Sequence, residues 1–493
     1  MSLVHRVLPP QPFATLEAYV KAGGGHGLEV ARQVEPVALI DEVEAAGLRG
    51  RGGAGFPTGV KWRTVAANRS DFEPPTVVVN AAEGEPGTFK DRTLLRSNPY
   101  EVIEGAVIAA IAVGATTVVI ATKARFGTEV DRLRGAIAEM AAAGWLGDLT
   151  VDVYEGPEEY LYGEETALLE ALDGRPPFPR IAPPFRRGVD EVVESPSDLG
   201  TDSGLSAHVE MAGPEGDEPA PPTLVDNVET LANVPKIIAR GKDWFRTEGT
   251  DESPGTIVAT VTGGVAHAGV GEVLLGTPLR EVIEIVGGGP GPEREIKAVL
   301  TGVSNTVLTA GQLDTPVSYE AFRAVGSWLG SASFIVLDDE SDMVAVAAGV
   351  SRFLAVESCG QCEPCKLDGL ELADKLAKLA GNRANRADLA AIRRRVDTVA
   401  DRARCSLATQ HQAVIGSILA AFDGEVQAHL DHSAEPVAAA TVTELREIDA
   451  SGVARWDDGH VRKQPDWSYD DEWSGKVPAD LFADHRNPDD ERY

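Results

Sequence analysis

Cys359, Cys362 and Cys365 follow one another as C-x-x-C-x-x-C, and Cys405 comes after 39 more residues. Three thiolates on one tight loop can each take a different corner of an inorganic cluster. The fourth corner can then be met from across the neighbouring helices, which is the ligand logic of a 4Fe-4S centre. Structural zinc usually takes two separate C-x-x-C knuckles, which this chain lacks. Zinc and four unrelated buried thiols stand as the alternatives. The pattern uses every cysteine in the chain, and Gly360 permits its close turn. A cluster held only by thiolates moves single electrons and needs a redox partner within the same assembly.

A second chemical segment is GLRGRGGAGFPTGVK, residues 47–61. Gly50, Gly52 and Gly55 fit G-x-G-x-x-G, but that fingerprint belongs after a strand. Here it follows Val37–Ala46 (VALIDEVEAA), which reads as helix, and G-x-x-x-x-G-K-[ST] is not satisfied. Six glycines within residues 47–59 still let backbone N–H groups approach an anion closely. Arg49, Arg51 and Lys61 add positive charge. A phosphate-bearing cofactor and a purely structural glycine loop both fit.

These residues need a scaffold. Short β-branched runs (Thr76–Val79, Thr117–Ile120) alternate with helical stretches (Pro99–Val113, Glu129–Ala143), which predicts an α/β layer fold for the first half. The uncharged run Gly105–Thr122 reads as a buried helix broken at Gly114 and then a strand; it lacks the 20 or so strongly apolar residues of a membrane span. Residues 188–222, rich in Pro, Gly and acid, read as a long loop. GTIVATVTGGV, LLGTPLREVIEIVGGG, IKAVLTGV and ASFIVLD predict a small α+β module next. Leu370–Leu379 and Arg386–Ala403 carry apolar residues at helical spacing. The last 60 or so residues are acidic and aromatic, with Trp456, Trp467 and Trp473, and are too poor in aliphatics to build a core; they are expected to lie on a surface, the chain's own or a partner's.

The chain has 493 residues, enough for about three domains without a disulfide staple. Its formal charge is −32, which argues against a nucleic-acid partner. The opening MSLVHRVLPPQPF lacks the apolar region of a secretory signal. With only four cysteines, the expectation is a cytoplasmic protein without direct membrane insertion, any membrane association coming through partner subunits.

GRGGAGFPTGVKW, NAAEGEPGTFKDR, YLYGEETALLEALDGR, VDNVETLANVP and ESCGQCEPCKLDG occur in this order. Together they resemble the NADH-binding flavoprotein subunit of respiratory complex I and the related diaphorase subunits of NAD-linked formate dehydrogenases and NAD-reducing hydrogenases. The resemblance spans roughly residues 15–432. It implies an α/β FMN- and NADH-binding domain over 1–250 (with the 188–222 insertion), a β-grasp module over 251–334, and a helical bundle with a 4Fe-4S cluster over 335–432. Residues 433–493 form a tail outside it. It further implies an enzyme in which a hydride passes between NAD(H) and FMN and single electrons pass on to the cluster.

Carried over by position, Gly50, Gly52, Gly53 and Gly55 would line the cofactor cleft, and Lys61 would meet the FMN phosphate. Phe56 and Phe185 match aromatic positions that stack on the NADH adenine. Asn80 and Glu83 fall in the motif facing the flavin, and Glu85 matches the nicotinamide-side carboxylate. Tyr160, Gly163, Glu164 and Glu165 match the segment beside flavin and nicotinamide; Glu85 and Glu165 are the candidate catalytic carboxylates. Asp226 and Asn227 match a pair that contacts FMN. Cys359, Cys362, Cys365 and Cys405 would hold the cluster. The implied partner is a thioredoxin-like 2Fe-2S subunit within a multisubunit oxidoreductase. Taken singly, Glu164–Glu165 reads as a solvated helix start and Asp226–Glu229 as a helix cap and first turn.

Three departures stand out. Ala82 replaces an acidic residue of the family's N-x-D-E-x-E-P-G, Ala182 replaces a lysine of R-L-K-P-P-F, and the 188–222 loop is long. They motivate a second reading, an iron–sulfur scaffold and electron conduit with a weakened nucleotide site and a different donor or acceptor.

Overall fold

The computed structural model describes residues 2–69, 74–181 and 222–482. Four parallel strands form the first sheet: β1 (Thr76–Ala81), β2 (Thr117–Lys123), β3 (Thr150–Gly156) and β4 (Thr223–Asn227), in the order β3-β2-β1-β4. Val77, Val78 and Val79 of β1 are consecutive and fully buried. Such unbroken burial marks a parallel strand covered on both faces. The helices Pro99–Val113 and Val228–Arg240 pack together in the main core below it. The uncharged run divides as its sequence predicts. Asn98 caps the first of these helices, Gly114 ends it in the left-handed region at φ 76°, and β2 follows. Among the described residues no helix is long and apolar enough to cross a membrane.

The second sheet is mixed, in the order β6-β5-β9-β7-β8. Its strands are β5 (Thr256–Gly263), β6 (Gly269–Leu274), β7 (Ile296–Thr301), β8 (Leu308–Thr309) and β9 (Ser333–Asp338). The helix Leu279–Gly287 covers it and stops at Gly288, φ 71°.

Five helices follow: Met343–Glu357, Gly369–Ala380, Arg386–Thr398, Ser406–Ala421 and Asp423–Leu430. They share a core that includes Phe353, Leu372, Leu376, Ile392 and Ile415. The periodic stretch 386–403 is helical only to Thr398. The chain then turns back through left-handed Arg402, φ 56°, and presents Cys405 at the start of the next helix. Residues 433–482 lie on the chain's own surface. It forms a hairpin, β10 (Leu445–Ile448) with β11 (Ala454–Trp456), and buries Leu445 and Trp467 against earlier segments. Trp467 packs 5.8 Å from Phe178, so the tail completes a neighbouring core in place of making its own.

Candidate functional site

The first sheet fixes where a ligand can lie. β1 to β3 are laid down in one direction from β1, and β4 is then placed on its other side. The crevice beyond the carboxyl ends of β1 and β4 is thus a topological switch point, the usual binding place of open α/β sheets. Asn80 lies near the end of β1, and Asp226 and Asn227 end β4; Asn80 and Asn227 are register partners across the gap.

The glycine segment crosses this crevice after the helix Pro36–Ala46, which its sequence context predicts, and before a second helix, Thr58–Ala67. Gly52 lies so close to Asn227 that an added Cβ would come within 3.3 Å of the Asn227 Cβ. Gly53 (φ 135°) faces open space, its nearest neighbour being the Gly330 backbone at 4.0 Å, and Gly55 (φ 65°) leaves no room for a Cβ beside Tyr319. The loop is therefore a backbone-lined cradle whose shape depends on missing side chains. Arg51 does not supply free charge here, contrary to the sequence expectation. Its side chain is 1% exposed, donates to Tyr319 Oη at 3.1 Å and faces Glu229 at 4.0 Å. Phe56 lies on the same loop, and its N–H and carbonyl line the Gly50 side. Phe185, Ala182 and the insertion up to residue 221 lie outside the described residues.

Lys61, one turn into the following helix, points back to the ends of β4 and of the helix Glu165–Leu172. It pairs with Glu165, donates to Val225 O at 3.0 Å and stands 4.0 Å from Asp226. Burial works against its charge, but Glu165 and Asp226 outweigh this and hold its ammonium above the ordinary value. It is a firmly charged cation at the mouth of the cradle.

Asp226 accepts from Trp62 Nε1 at 2.7 Å, yet burial pushes its carboxyl up to about 6. A raised carboxyl makes the folded chain bind the proton more tightly than the unfolded one. Its charge therefore costs stability above pH 6, by about 3 kcal/mol, and the cost disappears below the ordinary value of 3.8. Asp226→Asn keeps an acceptor for Trp62 and removes the titration. Its unfolding temperature is expected to exceed that of the parent at pH 8 and to match it near pH 4, as followed by circular dichroism. An equal change at both pH values would contradict this assignment.

Asn227 has two roles at once. Its Oδ1 accepts from Glu229 N–H at 3.0 Å as a helix cap, and its Nδ2 donates to Asp91 Oδ2 at 2.7 Å. Buried Lys90 bridges Asn227, Asp91 and Glu229. Asn80 donates to Gly163 O at 2.8 Å. Glu83 is committed to the chain itself: it accepts from Asp91 N–H at 2.9 Å and pairs with Arg92 at 2.7 Å. Glu164 starts the helix Glu165–Leu172 and accepts from Thr166 and Ala167 N–H, as a helix-start reading predicts. It is half-buried, and desolvation raises its carboxyl.

Glu85 reaches the second sheet. It accepts from Val303 N–H and Ser304 Oγ, both at 2.7 Å, and from Tyr160 Oη at 2.5 Å. Burial raises its carboxyl against the pull of these three donors. Val303 and Ser304 were not among the sequence candidates; the only local signal is Gly302, whose φ of 67° turns the chain onto Glu85. Tyr160 packs edge-on to Phe353 at 5.3 Å, against the same core that Cys405 packs on. Tyr160 thus stands at the seam between the cradle and the cysteines.

All four cysteines are free thiols. Gly360 takes φ 83°, which lets Cys359, Cys362 and Cys365 fold round a short loop that ends in the π-turn Pro364–Asp368. Burial pushes Cys365 up to about 12, and the neighbouring thiols add to the rise. Cys405 is raised by burial and by Cys359, while the N–H of Leu407 donates toward its sulfur. Among the described residues no three His, Cys, Asp or Glu side chains converge closely enough to hold one metal ion. Cys359 and Cys365 both act on Cys405, so the fourth thiol faces the loop that carries the other three.

Residues 43–236 match the Nuo51 FMN-binding domain, and residues 345–429 match the iron-sulfur binding region of NADH-ubiquinone oxidoreductase-F. The NADH-quinone oxidoreductase F 2 subunit of Rhizobium meliloti is 36% identical over 427 residues, which cover 84% of this chain and 94% of that protein. The chain belongs to the NADH-quinone oxidoreductase F family. The family extends to hydrogenases: the NADP-reducing hydrogenase subunit HndC of Solidesulfovibrio fructosivorans is 34% identical, over 88% of this chain and 84% of that one. A solved chain of the NAD+-reducing [NiFe]-hydrogenase in its H2-reduced state superposes with a TM-score of 0.70 at 30% identity, covering 85% of this chain and 67% of that one. In this oxidoreductase F chain the two matched regions contain the cradle (Gly50–Lys61, Asn80–Arg92, Asp226–Asn227) and the four cysteines. Residues 430–482 lie beyond the matched iron–sulfur region.

Proposed function

We propose that this chain is the electron-input flavoprotein of a multisubunit oxidoreductase, exchanging a hydride with NAD(H) and passing single electrons onward. The observation that carries this reading is the seam. Tyr160 joins the cradle, through Glu85, to the surroundings of Cys405, so that a nucleotide site and a cluster site abut within one chain.

The residues present fit FMN and a 4Fe-4S cluster. The backbone of Gly50–Gly55, with Asn80, Asp226 and Asn227, would hold FMN, and Lys61 its phosphate; Cys359, Cys362, Cys365 and Cys405 would hold the cluster. When bound, FMN supplies the exchange between a two-electron hydride and single electrons, and the cluster carries those electrons singly. Lys61 offers fixed positive charge to a phosphate. Glu85, held by Tyr160, Val303 and Ser304, keeps the nicotinamide side polar and closed to bulk water. Glu165, paired to Lys61, orients it. Glu83 sustains the cleft from behind through Arg92. Phe56 and Phe185 are assigned to the adenine.

In this reading the second sheet is a β-grasp module over 251–334, the helices of 335–432 form a bundle around the cluster, and residues 1–250 form the nucleotide domain. The partner is a thioredoxin-like 2Fe-2S subunit, and the assembly is cytoplasmic or joined to a membrane by other subunits.

An anaerobic visible spectrum before and after NADH tests the proposal. Bleaching of a flavin band, followed by loss of cluster absorbance, is expected. A cluster spectrum without flavin, or a flavin that NADH leaves oxidised, would replace it with the conduit reading that Ala82 and Ala182 motivate.

A further inference from the structure

Residues 443–482, beyond the matched iron–sulfur region, return across the whole site. At their start, Lys123 at the end of β2 donates to Glu444 Oε1 at 2.7 Å, Arg125 pairs with the same carboxylate, and Arg92 donates to Leu445 O at 2.8 Å. At their far end, the N–H of Ala479 donates to the carbonyl of Cys359 at 2.9 Å. Val477 lies on Gly360 so closely that a Cβ there would come within 2.6 Å, and Trp467 Nε1 donates to Val356 O at 2.9 Å.

The middle of the segment closes on Glu357, two residues before Cys359 and 2% exposed. His460 Nε2 and Lys463 Nζ each lie 2.8 Å from Glu357 Oε1. The other oxygen, Oε2, accepts the N–H of Tyr160 at 3.0 Å. A buried carboxylate is sustained only by opposite charge and hydrogen bonds. Both groups on Oε1 come from the returning segment. The nearby cation within the cysteine run, Lys366, is engaged with the carbonyls of Val356 and Ser358. Glu357 is therefore a junction: one oxygen is held by the tail, and the other holds the backbone of the residue between Glu85 and Cys405.

We propose that residues 443–482 form a built-in strap that positions the cysteine loop and Tyr160 for electron passage, with Glu357 as the positioning residue and His460 and Lys463 as its anchors. This deepens the electron-input reading and rests on it for the electron-passage part alone. Removing an anchor leaves Glu357 underpaired, frees the Tyr160 backbone and shifts the surroundings of Cys359.

The test uses the full chain with Glu357→Gln, Lys463→Met and Lys463→Arg. Two readouts are taken: the EPR line shape of the dithionite-reduced cluster, and stopped-flow rates of flavin bleaching and of cluster reduction by NADH. The expected result is a changed line shape in Glu357→Gln and Lys463→Met. Cluster reduction should slow by about tenfold relative to flavin bleaching, as is common when a group supporting a metal ligand is lost. Lys463→Arg should restore both. Parent line shape and parent rate ratio in Lys463→Met would overturn the proposal, and that variant decides the matter if Glu357→Gln fails to retain iron. A parent chain that holds a cluster and no flavin would defeat the electron-input reading; the EPR comparison would still decide whether the strap positions the cysteine loop.

Discussion

Cys405→Ser is expected to give a chain that still binds flavin and bleaches with NADH but holds no intact cluster. Cys405 is the one thiol that does not come from the Cys359–Cys365 loop, and the left-handed turn at Arg402 brings it round. It sits at the head of the helix Ser406–Ala421, with the Leu407 N–H directed at its sulfur. A serine hydroxyl fits the space but is a hard, protonated donor where soft thiolate is required. The cradle is built from other segments (Gly50–Lys61, Asn80–Glu85, Asp226–Asn227), so flavin retention is the internal control. Iron per chain and the EPR signal after dithionite measure the outcome. A full iron complement with the parent EPR signal would remove Cys405 from the ligand set.

Lys61→Met carries the second large effect, on the flavin. A charge-assisted contact is worth about 1.5–3 kcal/mol, so its loss should weaken FMN binding by roughly ten- to a hundredfold. The neighbours of Lys61 sharpen the test. Glu165 and Asp226 both lean on it, and without it the Glu165 carboxylate faces the phosphate position unopposed while Asp226 is pushed further toward its protonated form. Lys61→Arg retains the positive charge and should lose far less. Quenching of FMN fluorescence on titration with apoprotein gives the dissociation constants. Equal affinity in Lys61→Met and the parent would move the phosphate elsewhere in the cradle.

What could be read from the sequence was chemistry carried by local spacing. The close turn at Gly360, the helix before the glycine loop and the break at Gly114 all depend on neighbours within a turn or two, and the structure shows each of them. Asn227 shows that a plain reading and a functional one need not compete, since it caps its helix and also ties Lys90 and Asp91 to the cleft. Glu164 shows the limit. A helix start is visible in sequence, but how far it is shielded from solvent is decided by segments packed beside it. The partners of Glu85 (Val303, Ser304) and of Glu357 (His460, Lys463) lie 103 to 219 residues away and belong to no periodic pattern. Arg51 departs from its expected role for the same reason: its aromatic and carboxylate neighbours, Tyr319 and Glu229, come from distant segments.

The hydrogen bond from Ala479 to Cys359 also sets an order of events during synthesis. Cys405, the last cysteine, leaves the ribosome 74 residues before Ala479. At about 5–20 residues per second, that interval is roughly 4–15 s. Through that interval all four thiols exist without the segment that later lies across Gly360, and the loop is open on that side. Until Ala479 is made, the Cys359 carbonyl lacks its tail donor and Gly360 lacks its Val477 neighbour. Residues 477–479 thus complete the packing of the cysteine loop only after all four thiols have been made.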